Sequence, residues 1–260
     1  MSTREESAMT NAMQYCISAS YGNDSIALIQ WAHEQQLKDV VVTYSDTGWG
    51  SVQWPARVEQ CEQWARSLGF KTHRVVANMQ FEELMQFKKG FPSQRYQWCS
   101  AMLKIVPFLC WLDEADPELK TTIVIGLRRA ESQERANTPE FIEKSERHGD
   151  RKVWFPLAAY TDEDRNELLS RAGFAVLPHR SMECAPCINA NRNDLRGLTE
   201  GDIKRVEELE TKVGKTMFRS QRHGGAKGIR QVIQWANSER GKYNSQQETL
   251  FNCDSGMCGQ

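Results

Sequence analysis

A short polar loop near the amino terminus carries residue types suited to binding phosphate. It lies between a predicted strand, residues 14–19, and a helix predicted to begin near residue 24. Small polar turns at such a junction point several backbone N–H groups at one spot, and the helix amino terminus adds partial positive charge. The pattern predicts a phosphate or pyrophosphate site, although the same residue types also serve as helix caps. The loop consists of Ser20, Tyr21, Gly22, Asn23, Asp24 and Ser25.

Two further polar loops follow predicted strands. One is Asp46-Thr47-Gly48, after the strand at 39–44, and the other runs from Gly126 to Arg135, after the strand at 121–125. Since ligands bind at the carboxyl ends of parallel strands, we expect the three loops to converge. Arg128, Arg129 and Arg135 are then candidates for two-point contact with phosphate oxygens, with Glu131 orienting one of them. The alternative is a solvated face with surface ion pairs.

Cysteine spacing predicts a second kind of chemistry. Cys184 and Cys187 form a CxxC pair in a predicted loop, and Cys99 precedes a predicted helix. Cys253 and Cys258 lie near the end of the chain. A CxxC pair with two remote thiolates is the ligand count for zinc or for a [4Fe–4S] cluster. The remaining cysteines lie within apolar patterns and are predicted to be small core residues: Cys16, Cys61 and Cys110.

A basic segment near the carboxyl terminus has two interpretations. It either contacts the backbone of a polyanion or is a solvated entry to the last predicted helix. Its charged residues are Arg219, Arg222, His223, Lys227 and Arg230.

Composition limits the class of protein. The chain has 260 residues, 26% of them charged, and a net charge of −1, so no global basic field indicates nucleic-acid binding. No apolar run approaches the ~20 residues of a membrane span, and residues 1–6 are polar rather than signal-like. We expect a cytoplasmic protein with no membrane partner, whose cysteines are thiols or metal ligands rather than disulfides.

Strand and helix signals alternate through the first half of the chain. They predict an α/β fold, a doubly wound and mostly parallel sheet flanked by helices, with a helical carboxyl-terminal extension. The predicted boundary separates a nucleotide-binding domain, 1–198, from the extension, 199–260. Further helices are predicted at 54–69, 81–89, 100–114 with a bend at Pro107, 161–173, 199–213 and 225–236. Further strands are predicted at 71–77 and 153–160, and an exposed loop at 136–152.

These motifs together resemble the adenine-nucleotide α-hydrolase superfamily. Within it, residues 14–198 resemble the phosphoadenosine-phosphosulfate (PAPS) reductase family and its PP-loop ATP pyrophosphatase relatives. Residues 20–25 resemble the Ser-Gly-Gly-x-Asp-Ser pattern of the PP-loop, residues 46–48 the Asp-Thr-Gly of the second strand, and residues 126–135 the Gly-x-Arg-x-x-Glu-Ser segment. Trp98-Cys99, Leu103-Lys104 and the later CxxC are similar to members that bear an iron–sulfur cluster.

The resemblance implies an enzyme and assigns roles to residues. ATP, or a related nucleotide such as PAPS, would bind with Mg²⁺. The implied nucleotide-binding residues are Ser20, Tyr21, Gly22, Asn23, Asp24, Ser25, Asp46, Thr47, Gly48, Gly126 and Arg128. The implied catalytic residues are Asp24, Ser25, Arg128 and Arg135. The implied ligands of a [4Fe–4S] cluster are Cys99, Cys184, Cys187 and Cys258, with Cys253 as the substitute fourth ligand.

The sequence also departs from the family pattern. Tyr21 replaces the first PP-loop glycine, as in the reductases, whereas Asp24-Ser25 is intact, as in the ATP-cleaving members. Ser100 follows Cys99 where cluster-bearing reductases have a second cysteine. The tail reads Asn-Cys-Asp-Ser-Gly-Met-Cys-Gly in place of Glu-Cys-Gly-x-His, whose cysteine is the nucleophile.

The leading hypothesis is an ATP pyrophosphatase-type enzyme that adenylates an acceptor for sulfur transfer or for nucleotide or nucleic-acid modification. The first alternative is a thioredoxin-dependent sulfonucleotide reductase in which Cys253 or Cys258 attacks sulfur. The second is a non-catalytic nucleotide-sensing subunit of a phage or defence system. The expected partners are an adenine nucleotide, a sulfur-donor protein, a nucleotide or nucleic-acid acceptor, and a second copy of the chain in a homodimer.

Overall fold

The central feature of the fold is a six-stranded sheet. The computed structural model describes residues 13–219 and 225–238. The sheet order is β3-β2-β1-β4-β6-β5, and every pairing is parallel except that between β5 and β6. The predicted α/β class with a mostly parallel sheet is confirmed. The strands are β1 Tyr15–Ser18, β2 Val40–Asp46, β3 Lys71–Val76, β4 Thr122–Ile125, β5 Phe141–Ser145 and β6 Arg151–Trp154.

Helices surround the sheet. Most predicted helices occur within a few residues of their predicted bounds, because each has a periodic apolar face or a clear cap. Four of the described α-helices begin with a side-chain capping box, at Gln80, Thr161, Asn191 and Thr199. The helices of the described residues are α1 Asn23–Glu34, α2 Trp54–Ser67, α3 Phe81–Lys88, α4 Trp98–Ser100, α5 Val106–Ala115, α6 Asp162–Arg171, α7 Arg192–Arg196, α8 Glu200–Val213 and α9 Ile229–Asn237.

The order of the strands creates a crevice beside β1. The chain runs from β1 outward to β3 on one side and then returns to β4 on the other, so the direction of winding reverses between β1 and β4. Such a switch point opens a crevice at the carboxyl ends of the strands. The loops that leave β1 and β4 form its two walls. Both strands are buried, and their alignment pairs Tyr15 with Thr122 and Ser18 with Ile125.

Separate hydrophobic clusters support the sheet and the carboxyl-terminal helices. One packs α1, α2 and α6 with β1 and β2, and another packs α5 with β4 and β6. A third joins Trp49 and α3 to α8 and α9. Helices α8 and α9 therefore share a core with α3, while the boundary at residues 198 and 199 stays a prediction.

The prediction of an exposed loop at 136–152 is wrong. This region forms β5, a 3-10 turn at Glu146–His148 and the start of β6. Strand β5 lies at the sheet edge and buries none of its residues fully, so it lacks the apolar alternation by which strands are predicted. The predicted strand at 153–160 begins earlier, at Arg151, and ends at Trp154.

The helical stretch beginning at Trp98 differs from the prediction in its backbone geometry. A π-helical turn, Ala101–Ile105, joins α4 to α5, and Pro107 lies in the first turn of α5. Proline has no N–H to donate, so the wider turn before it accommodates the lost hydrogen bond. Cys16 and Cys61 are buried as predicted, but the prediction of a core position for Cys110 is wrong, since Cys110 is exposed.

Within residues 13–219 and 225–238, none of the helices has the length and apolar composition that a bilayer crossing requires.

Candidate functional site

The structure brings the three predicted loops to one edge of the sheet. Residues 20–25 follow β1, residues 46–48 begin at the last residue of β2, and residues 126–135 follow β4. Strand β1 pairs with both β2 and β4, so the three loops are immediate neighbours. A ligand at the carboxyl end of β1 therefore faces all three loops.

The β1 loop is held by its own hydroxyl groups. The backbone N–H of Ser20 donates to Ser25 Oγ (3.0 Å), and the two serine hydroxyls lie 3.2 Å apart. The N–H of Gly22 donates to Ser20 Oγ (3.4 Å). No side-chain hydrogen bond caps the amino terminus of α1, which begins at Asn23. The helix end thus carries its partial positive charge into the loop without a built-in acceptor.

Tyr21 occupies the position of the missing PP-loop glycine and keeps a glycine-like backbone. Its φ is +59°, in the left-handed region. Its side chain is fully buried and stacks on Tyr44 with ring centroids 5.5 Å apart. The Tyr21 carbonyl accepts a hydrogen bond from Arg57 Nε (2.8 Å). Tyr21 therefore offers the site its backbone, while its ring belongs to the core.

Arg128 crosses from the β4 loop to the β1 loop. Its Nε donates to Asp24 Oδ1 (2.5 Å) and its Nη2 pairs with Asp162 Oδ1 (3.0 Å). Its Nη1 is buried and has no hydrogen-bond partner among the described residues. Burial opposes the charge of Arg128, but Asp24, Glu131 and Asp162 outweigh burial and raise its pKa. The guanidinium stays charged and keeps one donor group for a ligand.

Arg135 has a different environment. Its Nη1 pairs with Glu131 Oε2, and Glu131 Oε1 accepts the backbone N–H of Arg128 (2.6 Å). Glu131 thus orients Arg135 and fixes the backbone of Arg128, as expected of it. Of these two arginines, Arg128 is the one that reaches the β1 loop.

Gly126 allows the β4 loop to approach α1 closely. A Cβ at this position would lie 2.9 Å from the backbone oxygen of Asp24, which is closer than real Cβ contacts. A side chain there would push the loop that carries Arg128 away from α1. The glycine in this motif is therefore required by a backbone contact.

A later segment, residues 177–183, lies against the β1 loop. Asn23 donates through Nδ2 to the carbonyl of Leu177 (3.0 Å) and accepts the N–H of Leu177 at Oδ1 (2.9 Å). Ser181 Oγ donates to the carbonyl of Ser20 (3.2 Å). This wall is not predicted from the sequence, where its one visible signal is its position directly before the CxxC pair.

The CxxC segment adjoins the β2 loop. Thr47 Oγ1 donates to the carbonyl of Glu183 (3.0 Å) and lies 3.5 Å from Cys184 Sγ. The N–H of Ala185 donates to the carbonyl of Trp49 (2.8 Å), whose Nε1 donates to the carbonyl of Pro186 (3.2 Å). Thr47 therefore touches both the candidate nucleotide loops and the cysteine segment.

Three of the predicted cysteine ligands lie near one another. Burial raises the pKa of Cys99 to about 12, with the nearby Cys187 and Cys184 thiols adding to the effect. Burial likewise raises the pKa of Cys184 to about 11, although the Lys104 charge opposes the rise. A cavity of about 40 Å³ lies between Lys104, Cys184 and Cys187.

A buried ion pair stands beside the cysteines. Lys104 Nζ pairs with Glu183 Oε1, and Glu183 is 4% exposed. Burial opposes the charge of Lys104, but Glu183 and the neighbouring thiols raise its pKa. Lys104 belongs to a motif that is visible in the sequence, but its pairing with Glu183 is not predicted from the sequence.

The described residues contain no group of three His, Cys, Asp or Glu side chains that could hold a metal ion as they stand. Cys253 and Cys258 lie outside the described residues. The three thiols at hand are soft ligands of the type that zinc and iron–sulfur clusters take. The donor set fits such a group, provided that a further ligand completes it.

The carboxyl-terminal basic segment is partly accounted for by ion pairs. Arg230 pairs with Glu200 (2.8 Å) and Glu207 (3.0 Å), which favours the solvated interpretation for this residue. Arg222 and His223 lie outside the described residues.

Known proteins of similar sequence cover part of the chain. An uncharacterized protein of Methanocaldococcus jannaschii is 27% identical over 46% of this chain and 24% of its own length. An uncharacterized 37.8 kDa protein of Escherichia phage 186 is 29% identical over 50% of this chain and 42% of its own. The chain thus spans less than half the length of these curated relatives.

Two solved structures are similar at low sequence identity. The PAPS reductase of Candida auris in complex with phosphate is 13% identical, with a TM-score of 0.44, over 63% of this chain and 74% of its own. The U34-tRNA thiolase NcsA of Methanococcus maripaludis with its [4Fe-4S] cluster is 10% identical, with a TM-score of 0.43, over 95% of this chain and 80% of its own.

The match to a domain family covers the β1, β2 and β4 loops together. The phosphoadenosine phosphosulfate reductase domain matches residues 14–181, well over half of the chain. The match begins beside β1 and ends at Ser181, which contacts the β1 loop. The chain belongs to the phosphoadenosine phosphosulfate reductase domain family.

Proposed function

We propose that the chain is an ATP pyrophosphatase-type enzyme that adenylates an acceptor for sulfur transfer. The observation that carries this proposal is the buried guanidinium of Arg128, which is held by Asp24 and keeps Nη1 without a partner among the described residues. A buried charged donor group without an acceptor is costly unless a ligand satisfies it. The groups around Arg128 suit a phosphate chain, because the amino terminus of α1 carries no side-chain cap and Asp24, which Arg128 contacts, lies in its first turn.

The reaction assigns a role to each element. An acceptor oxygen bonds to the α-phosphorus of ATP, and the bond from that phosphorus to the bridging oxygen breaks, so that pyrophosphate leaves. Backbone N–H groups at the start of α1 bind phosphate oxygens, and Ser20 and Ser25 add hydroxyl donors. Arg128 stabilises the charge that develops on the leaving group. Mg²⁺ accompanies the nucleotide and neutralises phosphate charge.

The sulfur site extends the proposal. Cys99, Cys184 and Cys187 would hold a [4Fe–4S] cluster together with Cys258 or Cys253 from the tail. Arg192, five residues after Cys187, donates through Nη2 to the carbonyl of Ser238 (3.0 Å), so the tail leaves the described structure near the CxxC segment. Fourteen residues lie between Ser238 and Cys253, and a chain of this length can span up to ~3.3 Å per residue. A bound cluster supplies redox-active iron beside the nucleotide.

Pyrophosphate release from Mg·ATP tests the proposal. The full chain is assayed with bulk tRNA, DNA oligonucleotides and free nucleosides as trial acceptors. Arg128→Lys keeps one positive charge beside Asp24 but removes the unpartnered N–H, so we expect release to fall by about 100-fold. The matched control is Arg171→Lys, a surface arginine paired with Glu34 (2.7 Å), which should leave release unchanged.

The competing reaction uses the same protein and is tested in parallel. A sulfonucleotide reductase would release sulfite from PAPS with thioredoxin, and Cys253→Ser or Cys258→Ser would abolish this release. Sulfite release without pyrophosphate release would overturn the adenylation proposal. Nucleotide binding with neither product would instead favour the sensing subunit.

A further inference from the structure

The segment that runs from the last turn of α3 through the following loop to the start of α4 exposes large aromatic rings. We call residues 87–98 the aromatic–cationic loop. Phe87 is 64% exposed and Tyr96 is 63% exposed. Aromatic side chains of this size usually bury most of their surface, because each offers a large apolar area. Two such rings on one short loop indicate a contact surface.

The same loop lies in an acid-free part of the sequence. No Asp or Glu occurs between Glu83 and Asp113, although the whole chain has a net charge of −1. Lys88, Lys89 and Arg95 are exposed there, and none forms an ion pair with a described residue. Lys215 adds a further exposed cation, since its Nζ donates to the carbonyl of Lys89 (2.8 Å). The loop is therefore a local positive patch.

The cations and the rings are interleaved. Lys88 Nζ lies 5.9 Å from the ring centroids of both Phe87 and Trp98. The guanidinium carbon of Arg95 lies 5.5 Å from the Tyr96 ring centroid. Backbone hydrogen bonds in both directions between Ser93 and Tyr96, of 3.0 and 3.3 Å, hold the turn. The rings are thus presented by a fixed backbone, which lowers the entropy lost on binding.

We propose that the aromatic–cationic loop binds single-stranded nucleic acid. Exposed rings stack on unpaired bases, and the cations between them neutralise the phosphates that link those bases. A duplex hides its base faces, so this surface suits a single strand. The loop leads through Trp98 directly to Cys99, which places the strand beside the sulfur site. Its role as an acceptor surface rests on the proposed function, whereas the binding itself does not.

Fluorescence anisotropy with labelled 12-nucleotide RNA and DNA strands tests this proposal without ATP. The full chain is titrated at several salt concentrations. We expect the double variant Phe87→Ala/Tyr96→Ala to bind at least tenfold more weakly, because a stacked base contributes about 1–3 kcal/mol. Lys88→Ala/Arg95→Ala should make the slope of log K against log salt shallower by roughly 0.7 per lost phosphate contact.

Matched controls lie elsewhere on the surface. Phe141→Ala removes an exposed ring from β5, and Lys38→Ala removes an exposed cation after α1. Both should bind like the native chain, and unchanged thermal midpoints confirm that the loop variants fold. The proposal would be overturned if the loop and control variants weakened nucleic-acid binding equally, or if the salt slope did not change. It would also be overturned if the loop variants lost binding to a protein partner while binding nucleic acid like the native chain. Binding in a chain that releases no pyrophosphate would leave this proposal standing and refute only the proposed reaction.

Discussion

Two buried ion pairs, one at each end of the candidate site, differ in how they are supported. Arg128 and Asp24 stand on the β4 loop and the first turn of α1, and both side chains are 3% exposed. Lys104 and Glu183 stand on a π-helical turn and an irregular segment, and the Lys104 side chain is 13% exposed. The first pair joins a helix to the loop directly after a central strand, whereas the second joins a π-helical turn to an irregular segment.

The difference suggests two kinds of site. At the proposed nucleotide end, the Nη1 group of Arg128 is buried and has no hydrogen-bond partner among the described residues. At the proposed sulfur end, three thiols lie near one another, and the described residues contain no group of side chains that could hold a metal ion as they stand. Thr47 joins the two ends through Glu183 and Cys184. A preformed anion site beside a site that is completed on binding is consistent with a nucleotide reaction coupled to sulfur chemistry.

The largest expected effect is a loss of iron from the sulfur end that leaves ATP binding at the nucleotide end almost unchanged. Native protein purified without oxygen should carry iron and sulfide near four each per chain, the content of one [4Fe–4S] cluster. Cys187→Ser should lose most of this iron while ATP affinity stays within about threefold, because Cys187 lies outside the β1 loop. Iron and sulfide analysis with nucleotide titration measures both quantities. A colourless native protein with one zinc would refute the cluster.

The next effect compares the two ion pairs directly. Asp24→Ala leaves the Arg128 charge buried beside an empty position and should cost about 3–5 kcal/mol of unfolding free energy. Glu183→Ala should cost less, because the more exposed Lys104 side chain can reach water. Urea unfolding of the two variants gives the comparison. Equal losses of unfolding free energy in the two variants would show that the elements that carry each ion pair make no difference to stability.

A smaller effect tests the close approach at the nucleotide end. Gly126→Ala places a Cβ against the Asp24 backbone and should cost about 1–3 kcal/mol through forced displacement. Displacing the loop also moves Arg128, so ATP affinity should fall as well. The control is Gly173→Ala, where nothing lies within 4 Å of the new Cβ but the left-handed φ of +75° carries its own strain. Nucleotide affinity should fall only in the Gly126 variant.

The smallest effect comes from His148, a buried histidine whose neighbouring charged group, Arg147, is also basic. Burial lowers the pKa of His148 from 6.5 to about 4, and Arg147 adds to the shift. The unfolded chain therefore binds a proton more readily below pH 6.5, so stability decreases as the pH falls from 6.5 toward 4. The loss should reach about 1 kcal/mol by pH 5.5. Urea unfolding of the native and His148→Gln proteins from pH 7 to 5.5 measures this pH-dependent loss of stability.

Much of the fold and of the nucleotide site follows from local pattern. Apolar periodicity predicts α1, α2 and α8, and a β-branched run predicts β2. The polar loops follow predicted strands, and a parallel sheet forces their carboxyl ends to one edge. By contrast, β5 is not predicted, because an exposed edge strand buries no continuous face. The prediction for Cys110 is wrong because apolar neighbours in the sequence do not fix which side of a helix is buried.

Local sequence patterns are enough to predict the family, the parallel architecture and the loops that meet at β1, because each of these depends on residues close together in the chain. The pairing of side chains across the site depends instead on segments that are far apart in the sequence. Arg128 reaches Asp24 across 104 positions, and Glu183 pairs with Lys104 across 79. Local propensities carry no information about such distant pairs. Packing of the sheet and helices selects them, and in doing so it places the thiols beside the nucleotide loops.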